Sequence, residues 1–227
     1  HTHAQEGCYA SAASMEGATP EHRQTHGELV AVTTDRRTSW AEKADAISAI
    51  MFSNAESPLV QLEGVRSLCH IASIREGSDA VACSLGVAAV MAAMEAHATD
   101  ASVLIAGSEA LRVAASSSPS NLCAVVNSGG IECAVEAAKS MPLDAAVQGA
   151  ALGALAEMTD VVAASSTAGG RIGGGAGGRT GPRISPCAIE AVQVAALTAT
   201  QLHIGDGIVR LLAARVLANA AEHARLR

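Results

Sequence analysis

Apolar side chains in this chain recur four and eight residues apart rather than two. Four segments carry the pattern in one register: LVQLEGVRSLCHIA (59–72), SVLIAGSEALRVAA (102–115), AVQGAALGALAEMT (146–159) and IVRLLAARVLANAA (208–221). Each has Val at its second position (Val60, Val103, Val147, Val209). Each has Gly or Ala four residues later (Gly64, Gly107, Ala151, Ala213) and Leu four beyond that (Leu68, Leu111, Leu155, Leu217). Such positions fall along one stripe of an α-helix. A small residue in mid-stripe lets a neighbouring backbone come close, and the Leu fills the gap between layers. The Leu-to-Leu spacings are 43, 44 and 62 residues.

A second helix is predicted before each of these: KADAISAIMFSN (43–54), GVAAVMAAMEAHAT (86–99), GGIECAVEAAKSM (129–141) and CAIEAVQVAALTAT (187–200). Short helical pieces, DAVACSL (79–85) and SNLCAVVNS (120–128), precede the middle two. Gly86 and the pair Gly129–Gly130 predict tight corners. SSSPSN (116–121) and MPLDAA (141–146) supply proline breaks and Ser or Asp caps. One unit is therefore a short helix, a Gly corner, a second helix, a polar turn and a longer third helix.

This unit resembles the armadillo repeat, most closely in SGGIECAVEAAKSMPLDAAVQGAALGALAEMTD (128–160), where Gly-Gly-Ile, Val-Gln and Ala-Leu fall as in the family pattern. HEAT-type repeats, with two helices per unit, are the near alternative. The resemblance implies an all-α fold, a right-handed α-α superhelix (armadillo/HEAT-like solenoid) of about four repeats. Expected boundaries are 40–74, 75–117, 118–160 and 161–227, after a polar segment or degenerate repeat at 1–39. It implies a non-enzymatic scaffold that meets protein partners along the concave face of its third helices. In that register Arg66, His70, Glu109, Arg112, Glu157, Arg210, Arg215 and Asn219 are the candidate contact residues. The family's Asn ladder would fall at His70, Val113, Glu157 and Asn219, and its Trp ladder at Arg66, Glu109, Gly153 and Arg215. Only Asn219 matches, so recognition of nuclear-localisation peptides is not carried over.

The last spacing is long because of a glycine-rich stretch, SSTAGGRIGGGAGGRTGPRISP (165–186), expected between the first two helices of the final repeat. Gly173 to Thr180 match a phosphate-loop pattern except that Arg179 replaces its Lys. Such a loop needs a strand before it and a helix after it. Here a helical segment precedes, and Pro182 and Pro186 follow. A solvent-directed insert is the expectation, and a nucleotide- or RNA-contacting module through Arg171, Arg179 and Arg183 is the alternative.

Composition sharpens this. Hydrophobic residues are 49% of the chain but aromatics only 1%, so the core must be built from Ala, Val, Leu, Ile and Met. A net charge of −7 argues against nucleic acid as a general partner. Six scattered Cys without a CxxC fit a reducing compartment, cytoplasmic or nuclear. No window reaches about 18 uninterrupted apolar residues, so no membrane span is expected. His22 and His26 have helical zinc-ligand spacing but no HExxH context. No GxSxG elbow or Cys–His pairing appears, and neither cofactor nor metal is expected. The sequence RRTS (36–39) suits a basophilic kinase acting on Ser39. The final helix is expected to leave an apolar face for further repeats, a partner or a second copy.

Overall fold

The computed structural model describes residues 19–167 and 184–225, with side chains through residue 160 in the first span. All regular structure there is helical. The helices are α1 (Pro20–Thr34), α2 (Trp40–Ser53), α3 (Pro58–Ala72), α4 (Arg75–Cys83), α5 (Gly86–Ala96), α6 (Ala101–Ser116), α7 (Pro119–Asn127), α8 (Gly130–Ser140), α9 (Ala145–Thr167), α10 (Pro186–Leu202) and α11 (Gly207–Arg225).

Their starts are written in side-chain caps. Ser57 accepts the Val60 N–H, Asp100 those of Ser102 and Val103, Asp144 those of Ala146 and Val147, and Asp206 those of Ile208 and Val209. Each cap stands three residues before the Val that opens the apolar stripe, satisfying amides the helix cannot. The corner before α8 needs Gly129, which adopts φ +97°. The residue after it must be small for a different reason. A Cβ on Gly130 would lie 2.7 Å from Val125 Cγ1 and 2.9 Å from its carbonyl oxygen. Gly86 stands in the same relation to Val81. Helices α4 and α5 meet there at 68°.

The long helices pack in succession, α1 on α3, α3 on α6, α6 on α9 and α9 on α11. Beside them α2 packs on α5, α5 on α8, and α8 on α10. The buried apolar side chains are Ala, Val, Leu, Ile and Met throughout, with Leu68, Leu111 and Leu155 at most 1% exposed. Each such Leu contributes about 1.5–3 kcal/mol.

Two polar devices recur with the spacing. Gln61 donates to the Met51 and Asn54 carbonyls at the end of α2, and Gln148 to those of Ala138 and Met141 at the end of α8. His97 bonds the Ala55 carbonyl and His203 the Pro142 carbonyl, 2.8 and 2.9 Å away, each tying one helix–helix turn to the preceding one.

Within the segment 1–39 lies helix α1, which docks on α3 through His22 Nε2 on Ser57 Oγ (2.8 Å) and His26 Nδ1 on Glu63 Oε2 (2.7 Å). The two histidines thus hold α1 in place, and among the described residues no group of three potential ligands could hold a metal. Helix α9 runs on to Thr167, so residues 161–167 extend it beyond the expected repeat boundary at 160. The glycine-rich insert lies mostly outside the described residues. The last two helices and the turn between them expose six aliphatic side chains, Val194, Leu197, Leu202, Ile204, Ile208 and Leu211. Gln193, Thr200 and Ala214 stand where Ile131, Ala138 and Leu152 are buried.

No single helix among the described residues is long and apolar enough to cross a membrane. The α4–α5 pair has such a composition only in combination.

Candidate functional site

The candidate stripe of each long helix starts two residues after its Val–small–Leu stripe, about 160° round the helix, since successive residues advance by about 100°. Three rows of register-equivalent positions cross α3, α6, α9 and α11. They read Leu62, Ile105, Gly149, Leu211; then Arg66, Glu109, Gly153, Arg215; then His70, Val113, Glu157, Asn219. None belongs to the fully buried set.

Charge links three of these helices. Arg112 binds Glu109 through two bonds, Nε to Oε2 at 2.8 Å and Nη2 to Oε1 at 2.6 Å. That bonded carboxylate is the main reason the Arg112 pKa rises above its ordinary value; partial burial opposes the rise and Glu157 adds to it. The side chain also passes over α9, with its Cδ 3.7 Å from where a Cβ on Gly153 would be. Arg215 on α11 reaches back to α9, with Nη2 2.5 Å from Asp160 Oδ2 and 3.6 Å from Glu157 Oε2. The chain of alternating charge therefore runs Glu109, Arg112, Glu157, Arg215, Asp160. These side chains are between 23% and 47% exposed. Ion pairs so wet are worth about 0–1 kcal/mol each, so stability does not explain why five charges share this face.

The structure brings Glu109, Arg112, Glu157 and Arg215 together and places Arg66 and His70 on the same stripe of α3. Arg66 is exposed and forms no ion pair among the described residues. Two candidates also make contacts within the fold. Asn219 spends its amide inside the fold, donating to the Ala156 carbonyl (3.1 Å) and Thr159 Oγ1 (3.2 Å) of α9. His223 adds a bond to the Thr159 carbonyl. Asn219 therefore fastens α11 to α9 through its amide nitrogen. Arg210 leaves the face. It follows Val209 directly, the position Gln61 and Gln148 occupy beside the preceding helix, and its Nη1 lies 3.4 Å from the Ile204 carbonyl. It lines an open cavity of about 410 Å³ with Thr200, Gly207, Leu211, Ala214 and Leu217, at the end of the row of helices.

Sequence reasoning passed over Asp160, Gly149 and the aliphatic row. The signal was available, since Gly149 and the row's Leu and Ile lie one turn before the charged row. Gly149 and Gly153 are notable because nothing packs against them. A Cβ at Gly149 would have nothing within 4 Å, and one at Gly153 only the Arg112 methylene. Glycine inside a helix costs about 0.5–1 kcal/mol relative to Ala. Here no close neighbour within the chain requires it, and the result is a bare stretch of α9 between Ile105 and the 71%-exposed Leu211.

Chemically the face offers aliphatic contact, paired charges of both signs and exposed helix backbone. The described cysteines are free thiols. Burial pushes the Cys133 thiol up to about 12, where it is not a nucleophile. Compared with known proteins, the chain matches no protein-family model, no curated protein and no solved structure.

Proposed function

We propose that the chain is an armadillo-like α-solenoid, a right-handed superhelix of about four layers. In this reading it is a non-enzymatic scaffold that binds a protein partner along the groove lined by α3, α6, α9 and α11. It works in the cytoplasm or nucleus, a placement supported by the free thiols of the described cysteines. The succession of long-helix contacts and the recurrence of caps, corners and Gln or His ties at matched spacings support the architecture.

The observation that carries the function is the stripe Gly149–Gly153–Glu157 flanked by the Arg112 and Arg215 pairs. A partner's side chains have room over the two glycines, and paired charges can exchange partners at little cost because they are already half-solvated. Aliphatic side chains at Ile105 and Leu211 supply the contact area that charge alone does not.

The test uses the two glycines. Gly149→Lys and Gly153→Lys put bulk into the groove where the fold leaves space, so they block binding without disturbing the core. Proximity labelling in cells with the double variant should lose a defined set of neighbours that the native chain and a convex-side control, Lys139→Glu, both retain. An identical set of neighbours for all three proteins would overturn the reading.

A further inference from the structure

The segment joining α1 to α2 has chemistry that the binding face does not use. Residues Arg36, Arg37 and Ser39 are exposed, in a bend between the two helices. Asp35 holds the bend from its start, accepting the Arg37 N–H at 2.9 Å and the Thr38 hydroxyl. Ser39 sits at its end in extended backbone, φ −65° and ψ 159°. Neither arginine forms an ion pair among the described residues, unlike Arg112 and Arg215. Two unpaired guanidiniums, three and two residues before an exposed hydroxyl, form a surface complementary to a carboxylate-lined substrate cleft.

The Ser39 hydroxyl already has a structural task. It donates to Glu42 Oε2 (2.7 Å) and accepts the Glu42 N–H (3.3 Å), and Glu42 Oε2 in turn accepts the Ser39 N–H (2.9 Å). This is a complete capping box. The hydroxyl's donor role cannot survive esterification. A phosphate here would carry about −1.5 to −2 charge beside the Glu42 carboxylate and close to Asp35. The nearest buried cation is Lys43, which lies over the Trp40 ring and gives its ammonium to the Thr33 carbonyl of α1 at 3.0 Å.

Helix α1 is the element this would disturb. Leu29 is its one fully buried residue. Val32 packs partly buried against the core, and the remaining ties are polar, through His22, His26 and the Lys43 bond to Thr33. Its His26 partner Glu63 is 5% exposed and leaves Oε1 without a partner. Burying a carboxylate oxygen that way opposes docking, so α1 is held by little surplus.

We propose that Ser39 is the acceptor for a protein kinase selective for basic substrates, and that its phosphorylation loosens α1 from α2 and α3. The γ-phosphoryl group of ATP passes to Ser39 Oγ. The new Oγ–P bond forms as the bond between phosphorus and the β,γ-bridging oxygen breaks. ADP leaves, and the hydroxyl proton passes to the kinase's base. Draining Lys43 from Thr33 toward the phosphate and breaking the capping box are the two local events.

The experiment treats the whole folded chain with the catalytic subunit of cyclic-AMP-dependent protein kinase and Mg-ATP. Incorporated phosphate is mapped by tandem mass spectrometry, and amide exchange is followed across α1. One phosphate at Ser39 is expected, absent in Ser39→Ala and incorporated about tenfold more slowly in Arg36→Ala/Arg37→Ala. Exchange in residues 20–34 should then rise about tenfold while α5 to α9 stay unchanged. Phosphate mapped to another residue, or none on the folded chain, overturns the site. Phosphate at Ser39 with unaltered α1 exchange overturns the loosening.

Discussion

Gly107 lies against Met94, so closely that a Cβ added to the glycine would collide with the methionine's Cγ and Sδ. The same collision awaits a Cβ on Gly64 from Met51, one spacing earlier. One spacing later the pair is Ala151 and Ala138, buried at 0% and 4%. The volume lost on one helix is returned on the other, so the interhelical gap is filled by two different residue pairs. Gly107→Ala alone should therefore overpack the gap and cost about 1–3 kcal/mol. Met94→Ala alone should leave a cavity and cost about 2–5 kcal/mol. Urea unfolding of the double variant should show a loss well below the sum of the two. Strict additivity would mean the two side chains do not share the space.

At Gly149 and Gly153 the opposite sign is expected. Both sit in the interior of α9 with open space where a Cβ would go. Gly149→Ala and Gly153→Ala should each stabilise the fold by about 0.5–1 kcal/mol, read as a raised urea midpoint with an unchanged slope.

Thiol labelling should separate the cysteines. With Cys133 pushed up to about 12 by burial, iodoacetamide on the native chain near pH 8 should spare it. Cys83 and Cys187, both exposed, should react. Cys123, whose pKa burial also raises, should lag behind them. Mass spectrometry of the peptides reads the order, and labelling of Cys133 at the rate of Cys83 would contradict its burial.

The joint between α1 and α2 should be acid-sensitive. Hydrogen bonds from Ser39 hold the Glu42 carboxyl below its ordinary value, and those from Thr38 and Arg37 do the same for Asp35. A depressed folded value means the contribution is present above the unfolded pKa and is lost as pH falls through the folded one. The amides of Ser39 and Glu42 should therefore become less protected below the ordinary carboxylate range, before the α6–α9 core responds. Carboxyl and amide shifts followed by NMR from neutral to acid pH would check this, and Ser39→Ala should move the Glu42 midpoint upward.

Most helix positions were legible because the sequence repeats its punctuation. Ser57, Asp100, Asp144 and Asp206 each stand before an apolar stripe, and Gly86 and Gly130 mark the same corner twice. Helix α1 was not legible. It has one buried residue, so periodicity is silent, and its docking rests on His26 and Glu63, separated by 37 residues. The continuation of α9 past residue 160 was legible, because no proline, glycine or cap intervenes before Thr167. Within the candidate face, the repeat register was enough to place Glu109, Arg112, Glu157 and Arg215 near one another. The contacts of Asn219 and Arg210 were not legible, because spacing gives a side chain's direction but not its partner. Asn219 turns to a helix neighbour, and Arg210 occupies the position that Gln148 uses to reach a carbonyl.

Trp40 is the chain's one tryptophan, and it packs at the joint between α1 and α2 with the Lys43 ammonium 4.6 Å from its ring centroid. Intrinsic fluorescence is therefore blind to most of this molecule. It watches a single hinge, while far-ultraviolet ellipticity averages over every helix. Where the two optical signals part during titration, the emission change dates the departure of the N-terminal helix, with no dye or label added.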